Sequence, residues 1–189
     1  MSELIRSFLS FDIEDEVVRK KLSTVQDSLV QTGADLKIVE PRNIHITIRF
    51  LGDITSNMVE KVFGEMQKVQ FIPFTVRIAG LGAFPDLRYP RVVWARITEG
   101  AEQLRTIFNQ LEPRLQGLGF TPNSKGFSPH LTIARVRSGG SKAQLAEFIT
   151  KNASYNFGVI NAECLRLKKS DLTPRGPIYS TLKEHCPRQ

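Results

Sequence analysis

The sequence predicts an α+β fold made of two similar lobes that face each other across a cleft. Two observations predict it. β-prone apolar runs alternate with segments of helical periodicity along the whole chain, and a comparable order of elements occurs in each half. In addition, a His-x-Thr-x sequence begins one strand in each half, at His45 and at His130. A pseudo-twofold relation between the halves would bring these two strands to one cleft.

The first half is predicted to run strand, helix, two strands and helix. Gly33 ends the first helical pattern, and Gly52-Asp53 closes the strand that carries the first histidine. The predicted elements are a strand at 5–12, a helix at 17–33, strands at 36–39 and 44–51, and a helix at 56–69.

The second half begins with two β-prone runs that are joined by a loop rich in Gly, Pro and Asp, which indicates paired antiparallel strands. A helix with a kink at Pro113 follows. The predicted elements are strands at 74–81 and 91–97, a helix at 104–118, a strand at 130–136, a helix at 142–150, and strands at 157–167 and 178–182.

Length and charge limit the class of protein. A chain of 189 residues with 41% hydrophobic content is predicted to form a single domain over residues 1–189. Lys and Arg number 26 against 19 Asp and Glu, a net charge of +7, which favours a polyanionic partner such as RNA. The total alone does not identify a nucleic-acid-binding protein, because such a surface requires the charge to cluster on one face.

The N-terminal residues and the cysteines indicate a cytoplasmic protein. The start MSELIRSF lacks the apolar core of a signal peptide, and no apolar run reaches membrane-spanning length. Cys164 and Cys186 have no CxxC spacing, so reduced cysteines are the simpler expectation. Pairing of the two cysteines stays open, since intracellular disulfides occur in thermophiles.

The repeated motifs His45-Ile46-Thr47-Ile48 and His130-Leu131-Thr132-Ile133 carry the predicted chemistry. Side chains alternate along a strand, so each His shares a face with the Thr two residues later while the aliphatic residues face the core. One neutral imidazole can accept a proton from water while a second, protonated imidazole donates one to a leaving oxygen. The threonine hydroxyls can hydrogen-bond phosphate oxygens.

The motifs have two other interpretations. Neither motif has an Asp, Glu or Cys at ligand spacing, so a metal site is not predicted. A single such histidine would more often be a hydrogen-bonded core residue, but its repetition in both halves favours function. The third histidine, His185, matches no pattern and is predicted to lie on the surface.

The chain resembles the two-histidine phosphoesterases, specifically the bacterial and archaeal RNA 2′,3′-cyclic phosphodiesterases once called 2′-5′ RNA ligases. The resemblance rests on three segments: IRSFLSF at 5–11, HITIRFLG at 45–52 and FSPHLTIAR at 127–135. It implies two antiparallel sheets that line a basic cleft, with helices on the outer faces. The first lobe would contain both chain ends, and the second would contain the middle.

The resemblance also implies roles. His45 would protonate the leaving 3′ oxygen and His130 would accept a proton from water, which leaves a 2′-phosphate and requires neither metal nor cofactor. The implied partner is RNA with 2′,3′-cyclic phosphate ends, and tRNA fragments are candidate substrates. No membrane partner is implied. With an RNA 5′-hydroxyl in place of water, the same pair would form a 2′-5′ linkage.

Further contacts to the phosphate are predicted from Thr47, Thr132, Arg135 and Arg49. Arg135 matches a basic position that the family carries after its second motif, but strict alternation places it on the face opposite His130. It therefore reaches the phosphate only if a bulge re-aims it. Arg49 shares a face with the first histidine by the same alternation, so a substrate contact and a solvated position at the cleft edge are both open.

Aromatic residues near the motifs could stack on a base, as single-stranded RNA recognition commonly requires. Phe127 lies on the approach to His130 and is a candidate contact. Phe50 is out of phase with His45, so burial is expected.

Two alternatives to the leading hypothesis stay open. The substrate could be another cyclic or 2′-5′ phosphodiester, because the motif determines the chemistry while the cleft walls determine the substrate. The chain could instead be a non-catalytic RNA-binding module, against which the two intact motifs argue. A monomer is expected.

Overall fold

The computed structural model describes residues 4–187 and shows an α+β arrangement over that range. Its helices are Glu16–Val30 (α1), Ser56–Met66 (α2), Ala101–Gly117 (α3) and Lys142–Lys151 (α4), with a 3-10 turn at Pro41–Asn43. Its strands are Leu4–Asp12 (β1), Leu36–Ile38 (β2), His45–Thr55 (β3), Phe74–Phe84 (β4), Val92–Glu99 (β5), His130–Val136 (β6), Asn156–Ala162 (β7), Leu165–Thr173 (β8) and Gly176–His185 (β9).

The strands form two antiparallel groups of four, and β2 is added beside β6. The first lobe has the order β3-β1-β8-β9 and contains both ends of the described chain, whereas the second has the order β7-β4-β5-β6 from its middle. This confirms the two-lobed arrangement expected from the sequence. The lobes join where β3 pairs with β6 at Ile46 and Leu131, so the nine strands form one continuous sheet.

The sequence did not predict the point at which the chain crosses from the second lobe back to the first. The sequence predicted one strand at 157–167, but the chain leaves β7, which pairs with β4, and enters β8, which pairs with β1. Only Glu163 and Cys164 separate the two strands. The connection contains neither Gly nor Pro, so no turn residue marks the break.

Two of the helices contact the lobe opposite to that of the strand they follow. Helix α1 follows a first-lobe strand but packs on β6 and β7 of the second lobe, and α3 follows β5 but contacts both β5 and β3. Helix α1 buries Val18, Leu22, Val25 and Leu29 at the spacing of one helical face, and Asp15 caps it by accepting from the Val18 N–H at 2.8 Å. Helix α3 continues through Pro113 to Gly117. Helices and strands thereby share one continuous hydrophobic core.

The expectation of reduced cysteines was wrong, because Cys164 and Cys186 form a disulfide. The register explains the pairing. Leu165 lies opposite His185 in the β8–β9 ladder, so the residues immediately outside that pair face each other, with their Cα atoms 4.2 Å apart.

None of the helices within residues 4–187 is long and apolar enough to cross a bilayer.

Candidate active site

Both histidine motifs line one cleft of about 490 Å³ between the lobes. His45 begins β3 and His130 begins β6. The other lining residues come mainly from β1, β2, the turn before β3, and the β8–β9 hairpin. They include Arg6, Phe8, Lys37, Glu40, Asn43, Thr47, Phe50, Thr132, Arg135, Arg175 and Tyr179.

The two imidazole rings are held in the same way. The Nδ1 of His45 lies 2.7 Å from the carbonyl oxygen of Asn43, and the Nδ1 of His130 lies 2.7 Å from the carbonyl oxygen of Ser128. A carbonyl can only accept, so each Nδ1 carries a proton and donates it. The nitrogen that gains or loses a proton is therefore Nε2 in both rings.

Each lobe contributes aromatic side chains that pack against its own histidine. The His45 ring stacks on Phe8 at 4.7 Å and meets the edge of Tyr179 at 5.3 Å, measured between centroids. The His130 ring meets Phe84 edge-to-face at 5.0 Å and Trp94 at 6.3 Å. These contacts restrict the orientation of both rings before substrate binds.

Burial lowers the pKa of His45 below the ordinary histidine value. The charges of Lys168 and His130 lower this pKa as well, while the Asn43 carbonyl and the carboxylate of Asp12 act in the opposite direction. Asp12 lies opposite His45 in the β1–β3 ladder and accepts from Lys168 at 2.6 Å. An anionic phosphate beside His45 would favour the protonated ring, as a proton donor requires.

Burial also lowers the pKa of His130, and the nearby guanidinium of Arg135 adds to this effect. The hydrogen bond to the Ser128 carbonyl acts in the opposite direction. A lowered pKa keeps the Nε2 of His130 unprotonated near neutral pH, as a proton acceptor requires.

The pairing of β3 with β6 sets each histidine beside the threonine of the other motif. Ile46 and Leu131 are directly opposite in an antiparallel pair, so the flanking positions match in reverse order. His45 therefore lies toward Thr132 and His130 lies toward Thr47, and all four side chains line the cleft. The two motifs combine into one site with two imidazoles and two hydroxyls.

A β-bulge follows the threonine of each motif and changes which face the next residues occupy. In β6, the register with β5 skips Ile133, and Arg135 then lines the cleft. In β3, the register with β1 skips Ile48, and Phe50 then lines the cleft. The bulge that Arg135 was expected to need in order to face the phosphate is therefore present.

The bulge in β3 shows that two expectations for this strand were wrong. Phe50 was expected to be buried, but it is 61% exposed in the cleft. Arg49 was expected on the face of His45, but it points away from the cleft and pairs with Glu112 of α3 at 3.0 Å, where the two side chains are only 16% and 13% exposed. It also donates to the carbonyl oxygens of Phe50 and Thr121.

Tertiary packing holds two further residues that the sequence singled out. A substrate contact by Phe127 stays a prediction, whereas the surface position expected for His185 was wrong. Phe127 is half-buried and stacks on Phe108 of α3 at 4.8 Å, outside the cleft lining. His185 is half-buried rather than on the surface, with its Nε2 lying 3.0 Å from the Val69 carbonyl oxygen.

Sequence reasoning missed Tyr179 and Lys37. Tyr179 reaches His45 because the start of β9 is tied to the turn before β3, where the Asn43 amide donates to the Pro177 carbonyl at 2.9 Å. Burial raises the pKa of the Tyr179 phenol. No sequence motif marks either residue. Tyr179 lies on β9, far along the chain from both histidine motifs, and Lys37 lies on β2, which has only three residues.

Within residues 4–187, one cluster of side chains has the spacing of metal ligands. It consists of Cys164, Glu184 and Cys186 and includes neither cleft histidine. Its two sulfur atoms are bonded to each other.

The LigT-like phosphoesterase family model matches the chain in two consecutive segments, residues 13–94 and 97–179. Each segment contains one His-x-Thr-x motif. The chain belongs to the LigT-like phosphoesterase family. The resemblance to two-histidine phosphoesterases drawn from the motifs is thereby confirmed, and the duplication seen in the pattern corresponds to the two matched segments.

Individual relatives agree with the family assignment. The chain is 36% identical over 164 residues to an Aeropyrum pernix protein named RNA 2′,3′-cyclic phosphodiesterase, covering 87% of this chain and 93% of that one. It is 36% identical over 179 residues to an Archaeoglobus fulgidus protein of the same name, covering 95% and 98%.

Solved structures match the fold. A Thermus thermophilus protein superposes with a TM-score of 0.79 at 26% identity over 96% of this chain and 97% of that chain. The apo form of Escherichia coli LigT superposes with a TM-score of 0.80 at 20% identity over the full length of both chains, a likeness that concerns the fold alone.

Proposed function

We propose that this LigT-like phosphoesterase hydrolyses 2′,3′-cyclic phosphate ends of RNA to 2′-phosphates without a metal ion, with His45 as proton donor and His130 as proton acceptor. One observation carries the proposal. Two imidazoles, both held through Nδ1 to a backbone carbonyl, lie in one cleft beside the threonines of each other's motif.

The proposed step balances as an in-line displacement. A water oxygen bonds to phosphorus as the bond from phosphorus to the 3′ oxygen breaks. The Nε2 of His130 takes a proton from the water, and the Nε2 of His45 gives a proton to the leaving 3′ oxygen. The products are a 2′-phosphate and a free 3′-hydroxyl, and proton exchange with solvent restores both rings.

Charge that builds on the phosphate oxygens needs donors in the cleft. The hydroxyls of Thr47 and Thr132 and the guanidinium of Arg135 supply them. Held in a half-buried cleft, such donors stabilise the transition state more than they would in water. Arg49 and Phe127 have no part in this proposal, because both lie outside the cleft lining.

The substrate class is supported by the relatives and by charge. The Aeropyrum pernix and Archaeoglobus fulgidus proteins are named RNA 2′,3′-cyclic phosphodiesterases. The net charge of +7 and four cationic side chains in the cleft lining suit a polyanionic strand. With an RNA 5′-hydroxyl in place of water, the same two histidines would form a 2′-5′ linkage.

Cytoplasmic location, a monomeric state and tRNA fragments as the physiological substrate stay predictions from the sequence. The disulfide is compatible with the cytoplasm of a thermophile, where intracellular disulfides persist.

The test is turnover of an RNA oligonucleotide that ends in a 2′,3′-cyclic phosphate, with EDTA present throughout. Wild type is compared with His45→Ala and His130→Ala. His185→Ala is the matched control, because it removes the histidine outside the cleft lining. Near-ultraviolet circular dichroism verifies that each variant is folded.

We expect wild type to yield a 2′-phosphate, both cleft variants to lose about 10²- to 10⁴-fold in kcat/KM, and the control to retain activity. A 3′-phosphate product would contradict the proposed direction of ring opening. RNA binding without turnover would reject the catalytic function, and inactivity that added Mg²⁺ or Zn²⁺ restores would reject metal independence.

A further inference from the structure

Lys37 and Arg135 lie directly opposite each other on adjacent strands. The β2–β6 ladder pairs them residue to residue, and both side chains are exposed and line the cleft. Like charges that face each other across two strands destabilise a sheet. An anion bound between them would remove that repulsion.

The surroundings of this pair do not supply the missing negative charge. Over residues 4–187, neither Lys37 nor Arg135 forms an ion pair. Of the described residues that line the cleft, Glu40 is the one carboxylate, and it is paired with Arg42 at 2.7 Å. An anionic ligand would supply the negative charge that the described cleft lining lacks beside this pair.

The two cations differ in their distance from the reacting atoms. Arg135 influences the pKa values of both His130 and Tyr179, which places its charge beside the catalytic ring. Lys37 lies one strand farther out, and its long flexible stem lets its ammonium act as a separate point charge. Arg135 can thus serve the reacting phosphate while Lys37 serves another.

A cyclic mononucleotide carries a single phosphate, which the histidines, threonines and Arg135 already engage in the proposed mechanism. An RNA strand end carries a further phosphodiester one nucleotide to the 5′ side. Its charge can be matched by a cation that the reacting phosphate does not engage. Of Arg6, Lys37 and Arg175 in the cleft lining, Lys37 is the one that lies directly opposite Arg135 in a strand ladder.

We propose that Lys37, opposite Arg135, forms a subsite for the phosphodiester on the 5′ side of the terminal nucleotide, so that the enzyme selects RNA strand ends over free cyclic mononucleotides. This inference rests on the proposed function and adds a substrate preference to it.

The test compares two substrates in the full-length protein: adenosine 2′,3′-cyclic phosphate, and the diadenosine ApA with a 2′,3′-cyclic phosphate end. Wild type, Lys37→Ala and Lys20→Ala are assayed at two or more salt concentrations. Lys20 is an exposed lysine on α1 outside the cleft lining, so its variant removes the same charge elsewhere.

We expect wild type to prefer the dinucleotide in kcat/KM, and Lys37→Ala to lower that preference about tenfold. Added salt is expected to lower kcat/KM more for the dinucleotide than for the mononucleotide, because it screens the extra charge contact, and Lys37→Ala should abolish the difference. Lys20→Ala should preserve both. Equal losses on the two substrates, or a preference that survives Lys37→Ala, would overturn the subsite.

Equilibrium binding of the two products separates this inference from the proposed function. Affinities for adenosine 2′-phosphate and for ApA with a terminal 2′-phosphate are measured by calorimetry on the same proteins. A Lys37→Ala loss of about tenfold that is confined to the dinucleotide supports the subsite even if wild type shows no turnover. No difference between the two ligands would reject it.

Discussion

Phe50 and Arg135 occupy matching positions in the two lobes. Each lies three residues after the threonine of its motif, and each enters the cleft because a β-bulge follows that threonine. The pseudo-twofold relation therefore applies to the backbone of the two lobes but not to the side chains at this position. One lobe offers an exposed aromatic face and the other a guanidinium, so the nucleoside is expected toward Phe50 and the phosphate toward Arg135.

Replacing Phe50 with Ala should weaken substrate binding without weakening the fold. Stacking of a base on an aromatic ring contributes about 1–3 kcal/mol, so KM for the RNA substrate should rise about five- to a hundredfold. The side chain is 61% exposed, so the melting temperature should not fall. Steady-state kinetics and thermal unfolding provide the two readouts. Phe50→Tyr retains the ring face, and its failure to preserve KM would contradict stacking.

Replacing Arg135 with Gln should move the acidic limb of the pH–rate profile to higher pH. The Arg135 charge lowers the pKa of His130, so its removal raises that pKa. The proton acceptor must be neutral, and a higher pKa keeps it protonated up to a higher pH. The profile of kcat/KM from pH 4 to 9 measures the shift. Arg137→Gln, an exposed arginine outside the cleft lining, is the control, and an unmoved acidic limb in Arg135→Gln would contradict the assignment.

Replacing Arg49 with Met should destabilise the fold rather than impair catalysis. The variant removes the counter-charge of the largely buried Glu112 carboxylate, which keeps only its hydrogen bond from the Asn123 N–H. Loss of the partner of a buried charge costs about 3–5 kcal/mol of unfolding free energy. Urea denaturation monitors that loss, and kcat/KM per folded molecule should stay within about twofold of wild type. Reduced activity with unchanged stability would restore Arg49 as a substrate contact.

Replacing Tyr179 with Ala should lower kcat, because the ring confines the His45 imidazole. Its centroid lies 5.3 Å from that of His45 and 4.9 Å from that of Phe8. Loss of alignment of a catalytic group costs about tenfold or more in rate. Tyr179→Phe keeps the ring and should retain most of the rate. If the Phe variant is as impaired as the Ala variant, the hydroxyl and not the ring edge is the important group.

Reducing the Cys164–Cys186 disulfide should lower the unfolding free energy by about 3 kcal/mol, because the bond closes a loop with a sequence separation of 22. Urea denaturation with and without dithiothreitol measures the difference. Cys164→Ser should reproduce the loss without reductant. If dithiothreitol then destabilises this variant further, the effect of the reductant does not come from this bond.

Local patterns predicted most of the order of elements and the two histidines that meet in the cleft. The His-x-Thr-x repeat was predictive because alternation along a strand requires only the strand itself, and both motifs begin strands in the structure. Helix α1 was predictable for the same reason, since the spacing of its buried residues is local.

The tertiary structure decided every feature that depends on a second strand. A bulge is a mismatch between two partners, so the turning of Phe50 into the cleft and of Arg49 toward Glu112 has no signature in β3 alone. Register across distant strands likewise placed Lys37 opposite Arg135. The periodicity of a sequence shows which residues share a face of one element. Pairing with other strands decides which faces meet and where a bulge changes the alternation of the side chains.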